Sequence, residues 1–216
     1  MKELLKKRVF ITKLFLVIYF TVGAFGLIWP VTANIFRQLI PLTLLASLAV
    51  LLAFHQKWER THVWVFGLIA LLGYMVEVAG VLTGLVFGEY QYHNTLGVKI
   101  LGTPPIIGIN WLFLIYAVYG IFEHQQLPSW LKVVGGALLM VAFDIILEPA
   151  AIALNMWSWG GSEIPIQNYV AWFVISVVFL TIMQVAKIRT NNPISKHMFM
   201  VQLVFFMFLN IYFRIS

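Results

Sequence analysis

HVWVFGLIALLGYMVEVAGVLTGLVFGEYQY, from His62 to Tyr92, decides what kind of protein this is. Between His62 and Phe87 its residues are apolar or small with one charge among them, Glu77. That length suffices to cross the hydrocarbon core of a bilayer, roughly 30 Å thick. After Phe87 the composition turns abruptly to glycine, tyrosine and polar residues, as at a membrane surface. The stretch therefore predicts a transmembrane helix holding a carboxylic acid at depth, followed by an aromatic loop. Ionisable groups inside a bilayer are costly and are retained where they do something.

Reading outward from it, six further apolar stretches follow the same pattern: Phe10 to Trp29, Leu39 to Phe54, Ile106 to Phe122, Trp130 to Leu154, Tyr169 to Ala186 and Met198 to Phe213, the second and last of the seven being short. Of 216 residues 62% are hydrophobic and 10% charged, and the mean hydropathy is +0.93. A soluble domain could not cover so much apolar surface with so few charges. The basic start, MKELLKKRVF, resembles the front of a signal peptide, but no small-residue cleavage pattern follows, so it reads as a retained first helix. The expectation is an all-α, polytopic transmembrane helix bundle of about seven helices, forming a single integral membrane domain over 1–216, multi-pass in the cell's inner (cytoplasmic) membrane.

Lysine and arginine set the orientation. With the N-terminus cytoplasmic, Lys2, Lys6, Lys7, Arg8, Lys13, Lys57, Arg60, Lys132, Lys187, Arg189 and Lys196 fall inside, and Arg37, Lys99 and Arg214 outside. The net charge of +6 is thus explained by topology, and no nucleic-acid partner is expected. The same topology sends two unusual loops to the outer side: FGEYQYHNTLGVKILGTPP (Phe87 to Pro105) and NMWSWGGSEIPIQN (Asn155 to Asn168). Their tyrosines and tryptophans suit an interfacial aromatic belt, but their concentration in two loops on one side shifts the balance toward a site lining.

Two more acids, Asp144 and Glu148, lie four residues apart on one face of the fifth span. Glu77 shares its face with Gly73, Gly80, Gly84 and Gly88, at spacings of three and four. Small residues so placed make a packing seam. A carboxyl on that seam must be paired, protonated or facing a cavity. Counted from the span ends, Glu77 and Asp144 lie about ten residues, on the order of 15 Å, below the outer surface, with Glu148 a turn higher. Three acids at similar depth under two aromatic loops predict one shared cavity.

Like charges in a low dielectric cannot all ionise, so at least one acid keeps its proton. A buried neutral carboxylic acid can protonate an apolar substrate, and the faces of Trp111, Trp157 or Trp159 can stabilise a resulting cation. The bland alternative is a structural acid pair satisfied by Lys99, Asn110 or Asn168. Other chemistries lack their residues. The chain has no cysteine for disulfides, thiolate metal sites or thiol catalysis; His55, His62, His93, His124 and His197 form no HxxxH or HxxHH cluster; there is no dinucleotide or phosphate-loop motif, and no lysine in the last span for a retinal Schiff base. No metal or cofactor is therefore expected.

The set Glu77, Gly80, Phe87, Gly88, Tyr90, Tyr92, Leu96, Gly97, Lys99, Gly102, Pro104, Pro105 and Trp111, followed by Asp144, Glu148, Pro149, Ala150, Trp157, Trp159, Asn168 and Trp172, resembles the membrane carotenoid-biosynthesis proteins. That family includes hydratases acting on lycopene or gamma-carotene ends and the bisanhydrobacterioruberin hydratases. The resemblance covers about 75–173. In the second loop Pro165 and Asn168 fit the family's pattern, while Glu163 stands where a small residue is usual.

The resemblance implies a cofactor-independent hydro-lyase that adds water across the terminal C=C of an acyclic carotenoid by acid catalysis. Asp144, Glu148 and Glu77 would be the catalytic acids, and Glu89, Tyr90, Tyr92, Lys99, Asn110, Trp111, Trp157, Trp159, Asn168 and Trp172 the substrate-binding wall. The partners implied are a carotenoid of the lycopene or gamma-carotene type, membrane lipid and, in a homo-oligomer, a second copy of the chain. Two alternatives stay open: a lycopene-type cyclase, which traps the same cation with an internal alkene, and a non-enzymatic carotenoid or lipid carrier.

Overall fold

The structure is a computed structural model, and it describes residues 2–161 and 163–215; Ser162, in the second loop, lies outside them. Eight helices account for most of the chain: α1 (Lys2–Ile28), α2 (Ala33–Gln38), α3 (Ile40–Ala53), α4 (Arg60–Thr83), α5 (Ile106–Phe122), α6 (Ser129–Ala153), α7 (Ile166–Val185) and α8 (Ser195–Ile215). Five of them, α1, α4, α6, α7 and α8, are long and apolar enough to cross a membrane, and α3 and α5 are shorter apolar helices. The protein is a multi-pass helical membrane bundle whose seven main helices match the seven apolar stretches.

The bundle wraps around α5, which touches α3, α4, α6, α7 and α8. From Trp111 to Val118 every side chain of α5 is buried. A helix enclosed by protein on all sides is hydrophobic all round, which explains why it shows no polar stripe. The peripheral helices are inverted relative to a soluble protein: Phe10, Phe15, Val22 and Phe25 of α1 and Val204 and Ile211 of α8 are exposed. Lipid tails are as apolar as leucine, so helices associate here through close packing and polar contacts. Small residues provide the approach. Gly108 of α5 lies against the backbone of Ala70 on α4, and a Cβ at Gly136 of α6 would come within 2.7 Å of Leu180 on α7.

Local chemistry sets the breaks. α2 and α3 are one helical path bent at Leu39, because Pro41 has no N–H for the Arg37 carbonyl and its ring crowds that turn. α4 ends at Thr83, where Gly84 adopts φ 67° and donates its N–H to the Gly80 carbonyl at 2.8 Å. This corrects the sequence reading in two ways. The span stops short of Phe87, and Gly84 and Gly88 lie off the helix, so the seam extends only through Gly73, Glu77 and Gly80. In α6, Pro149 interrupts the hydrogen-bond ladder directly after Glu148, and Asn210 of α8 donates to the Ile146 carbonyl in that weakened turn.

The two aromatic loops meet. β1 (Tyr90–Tyr92) pairs antiparallel with β2 (Trp157–Trp159), with Tyr90 opposite Trp159 and Tyr92 opposite Trp157. This ribbon fixes the ends of α4 and α6 at the same face of the bundle. At the opposite face a separate polar knot ties two connections to α4 and α5: His55, between α3 and α4, bonds Tyr116 and His62, each at 2.9 Å, while Asn192, between α7 and α8, donates to the Tyr116 hydroxyl.

Candidate active site

Strand alternation gives the ribbon two different faces. Gln91 and Ser158 point one way; Tyr90, Tyr92, Trp157 and Trp159 share the other, where their rings pack with centroids 5.3 Å apart for Tyr90 and Trp159 and 5.9 Å apart for Tyr92 and Trp157. Each of these rings ends in an O–H or N–H donor, and all four donors reach an acid. Tyr90 and Tyr92 donate to Glu77 Oε2, both at 2.7 Å. Trp157 and Trp159 donate to Glu148 Oε2, both at 3.0 Å. The ribbon is an aromatic lid fastened by two carboxyls.

Beneath it, Trp111 of α5 donates from Nε1 to Glu77 Oε1 at 2.9 Å. The seam makes this possible. A Cβ at Gly73 would stand 2.7 Å from Trp111, and one at Gly80 would stand 2.6 Å from Phe87 and 2.9 Å from the Tyr90 hydroxyl, so the two glycines flanking Glu77 clear the space through which its donors arrive. Trp111 is itself stacked on Trp172 of α7, with centroids 4.3 Å apart and planes at 29°. One turn before Trp172, Asn168 donates to Asp144 Oδ2 at 2.7 Å.

All three acids line one cavity, together with Asn110, Trp111, Asn168, Trp172 and the four rings of the lid. They are almost wholly buried: Glu77 is 4% exposed, Asp144 0% and Glu148 2%. The depths differ from the even placement expected. α4 ends at Thr83 and α6 at Ala153. Glu77 and Glu148 therefore each lie roughly a turn and a half below their helix ends, and Asp144 about two and a half turns below. Asp144 is the floor of the cavity, and the two glutamates are its upper walls.

Hydrogen-bond capacity separates the acids further. Glu77 accepts three donors spread over both oxygens, as an ionised carboxylate does. Glu148 accepts two on Oε2, and its Oε1 makes no hydrogen bond to a described residue. Asp144 Oδ1 is buried with no partner among the described residues. A buried carboxyl oxygen with no protein partner suits an O–H, not a negative charge. Burial first, and then the adjacent Glu77, push the Tyr90 and Tyr92 phenols well above the ordinary phenol range, so both remain proton-bearing donors. Altogether six N–H or O–H donors point at the three carboxyls, and a metal ion would have to displace them.

The space left between these groups is about 30 Å³. That is room for a water molecule, whose share of liquid volume is roughly 30 Å³. Two residues expected in the wall lie outside it. Glu89 is exposed at the ribbon's edge, where its carbonyl accepts from Gly160; Lys99 is exposed and donates to the Tyr92 carbonyl at 3.0 Å, bracing the lid from behind. Glu89 sits in the bend just before β1 and Lys99 in the irregular segment between β1 and α5, and neither lines the cavity. Ile107 and Leu147 line the cavity without having been singled out. Each lies close in sequence to a polar member, Leu147 directly before Glu148 and Ile107 one turn before Asn110.

A bisanhydrobacterioruberin hydratase from Haloarcula japonica is 25% identical over 117 residues, which cover 49% of this chain and 39% of the relative, so the chain matches well under two thirds of that protein's length. No solved structure matches. The family described as carotenoid biosynthesis protein matches residues 38–215, a wider region than the 75–173 legible from motifs. With so much of its length covered, this chain belongs to the carotenoid biosynthesis protein family.

Proposed function

We propose that the protein is a carotenoid hydratase, adding water across the terminal C=C of an acyclic carotenoid end group without redox chemistry. The observation that supports it most directly is Asp144 Oδ1, buried and unpartnered among the described residues on the floor of a water-sized space in which Glu77 has donors on both oxygens and Glu148 on one. Asp144 is then the proton donor. Its O–H bond breaks as the alkene's π pair forms a C–H bond at the less substituted carbon, leaving a tertiary cation at the dimethyl carbon. Water attacks that carbon, and the proton it sheds passes to Glu148 and back to Asp144 one turn below. One C–H and one C–O bond form, one water is consumed and the acids are restored.

The surroundings suit such a cation. Ionised Glu77 provides a fixed negative charge, and the faces of Trp111, Trp157 and Trp159 offer π density at close range. A space of about 30 Å³ holds water but not a dimethyl end group, so substrate entry requires the lid to shift, with the Trp157 and Trp159 indoles releasing Glu148.

The test is the origin of the oxygen. Expressed with an acyclic carotenoid, the protein should yield a tertiary alcohol that carries heavy oxygen from labelled water and none from labelled dioxygen. Label arriving from dioxygen, or a product of unchanged mass, would overturn the hydratase reading.

A further inference from the structure

A second cavity lies beside the junction of α6 and β2, where Leu154 and Met156 line it. It is enclosed by α1, the bent α2–α3 segment and α8, and its volume is about 290 Å³, at the lower end of what small-molecule pockets offer. Its walls are almost entirely hydrocarbon, with Phe20, Phe36, Phe205 and Phe206 prominent. Val22 and Leu42 line it and are also exposed on the bundle's flank, so it opens sideways toward lipid.

Three features distinguish it from a lipid-filled crevice. The first is Gln202 of α8, a wall residue that is 3% exposed and makes no hydrogen bond to any described residue. A primary amide set in a hydrocarbon wall, with neither its donors nor its acceptor bonded to protein, is costly unless something in the cavity meets it. Its presence there calls for a ligand that supplies a partner. The second is the Tyr19 hydroxyl bonded to Thr43 Oγ1 at 3.0 Å, also in the wall, which retains unused hydrogen-bonding capacity. The third is position. Met156, in the bend that ends the α6 turn, lines this cavity while Trp157, the next residue and the first of β2, lines the acid cavity. The start of β2 is the partition between the two spaces.

From these observations we propose that the cavity is a product subsite, which takes the apolar end of a carotenoid once that end carries a hydroxyl and holds the hydroxyl on Gln202. The proposal rests on the hydratase reading for the source of the alcohol, but the binding preference it states is independent of catalysis. An alkene end gains only dispersion contacts here; an alcohol end both donates to and accepts from the amide. The hydroxylated end is thereby drawn out of the acid cavity, past Met156, to a site open to the bilayer.

The experiment compares an acyclic carotenoid bearing a terminal tertiary alcohol with its parent hydrocarbon, each titrated into the purified full chain in lipid nanodiscs. Wild type should retain the alcohol more strongly. Gln202→Leu, which keeps the bulk and removes the amide, should reduce that preference roughly three- to tenfold, the worth of about one hydrogen bond. Gly23→Leu should reduce binding of the alcohol by filling the cavity; a Cβ there meets nothing nearer than Phe205 at 3.8 Å, so the helix accepts the side chain. An alcohol preference unchanged in both variants would overturn the proposal, as would a phospholipid that co-purifies with wild type, resists displacement by the alcohol and is lost in Gly23→Leu. If the oxygen-labelling test fails while the Gln202-dependent preference persists, the hydratase reading falls and the subsite stands; labelled product with no such preference gives the reverse.

Discussion

Asp144→Asn separates the chemistry of the acid cavity from its architecture. Asparagine matches aspartate in size, and its carbonyl can still accept from Asn168, so the 2.7 Å contact that ties α6 to α7 survives. The new NH₂ falls where Oδ1 has no partner among the described residues. An unsatisfied buried donor costs roughly 1–3 kcal/mol, tolerable against a typical stability of about 5–15 kcal/mol. Loss of a positioned general acid costs about 10²- to 10⁴-fold in rate, which is about 2.7–5.5 kcal/mol of barrier. The variant should therefore purify in near-normal yield, retain pigment and lose at least two orders of magnitude in formation of labelled alcohol. Glu148→Gln should behave similarly, because both lid indoles can still donate to the amide oxygen. Two folded variants that each turn over within a few-fold of wild type would refute proton donation from this pair.

Three further outcomes are expected. Gly73→Ala places a methyl where only 2.7 Å separates it from Trp111, which should push the indole off Glu77 and lower both activity and thermal stability, while Gly67→Ala, with open space around it, should do neither. Burial and the adjacent His62 hold His55 below the ordinary imidazole range, with Glu123 acting weakly the other way. The unfolded chain then takes up the proton first, so stability from the polar knot is complete above about pH 7 and is lost progressively as pH falls below about 6.5 toward the lower folded value; Tm in detergent should drop between about pH 7.5 and 5, and His55→Gln should flatten that dependence. Finally, in this cysteine-free chain Gly161→Cys should react with an impermeant thiol reagent in intact cells and Gln125→Cys should not, as the lysine and arginine distribution requires; the opposite pattern would invert the orientation.

Long apolar periodicity made the helices legible, and the cost of burying charge made Glu77, Asp144 and Glu148 legible as one site. What the sequence hid was set by short-range geometry. Tyr90 to Tyr92 and Trp157 to Trp159 were readable as aromatic loops, yet their alternation over three residues is too brief to announce a strand without its partner, and the partner lies 67 residues away by the Gln91 to Ser158 pairing. Gly84 was read as a seam residue because its spacing continued the pattern, whereas its positive φ ends the helix. Glu89 and Lys99 carry the charges a site would want, and only the direction of the backbone turns them outward. Gln202 gave no signal at all, since one glutamine in an apolar helix is informative only once its neighbours are known to leave it without a partner.

The pairing of β1 with β2 also imposes a rule of parity on the chain. All four lid donors occupy even steps of a two-residue period, so a single insertion or deletion inside either strand would exchange Tyr90 and Tyr92, or Trp157 and Trp159, for Gln91 or Ser158 and turn the rings to the outside. Glu77 or Glu148 would then lose both lid donors at once. Changes of length can accumulate in the turns flanking the ribbon, where Gly161 has open space around it, but within these six residues the sequence can drift only by substitution.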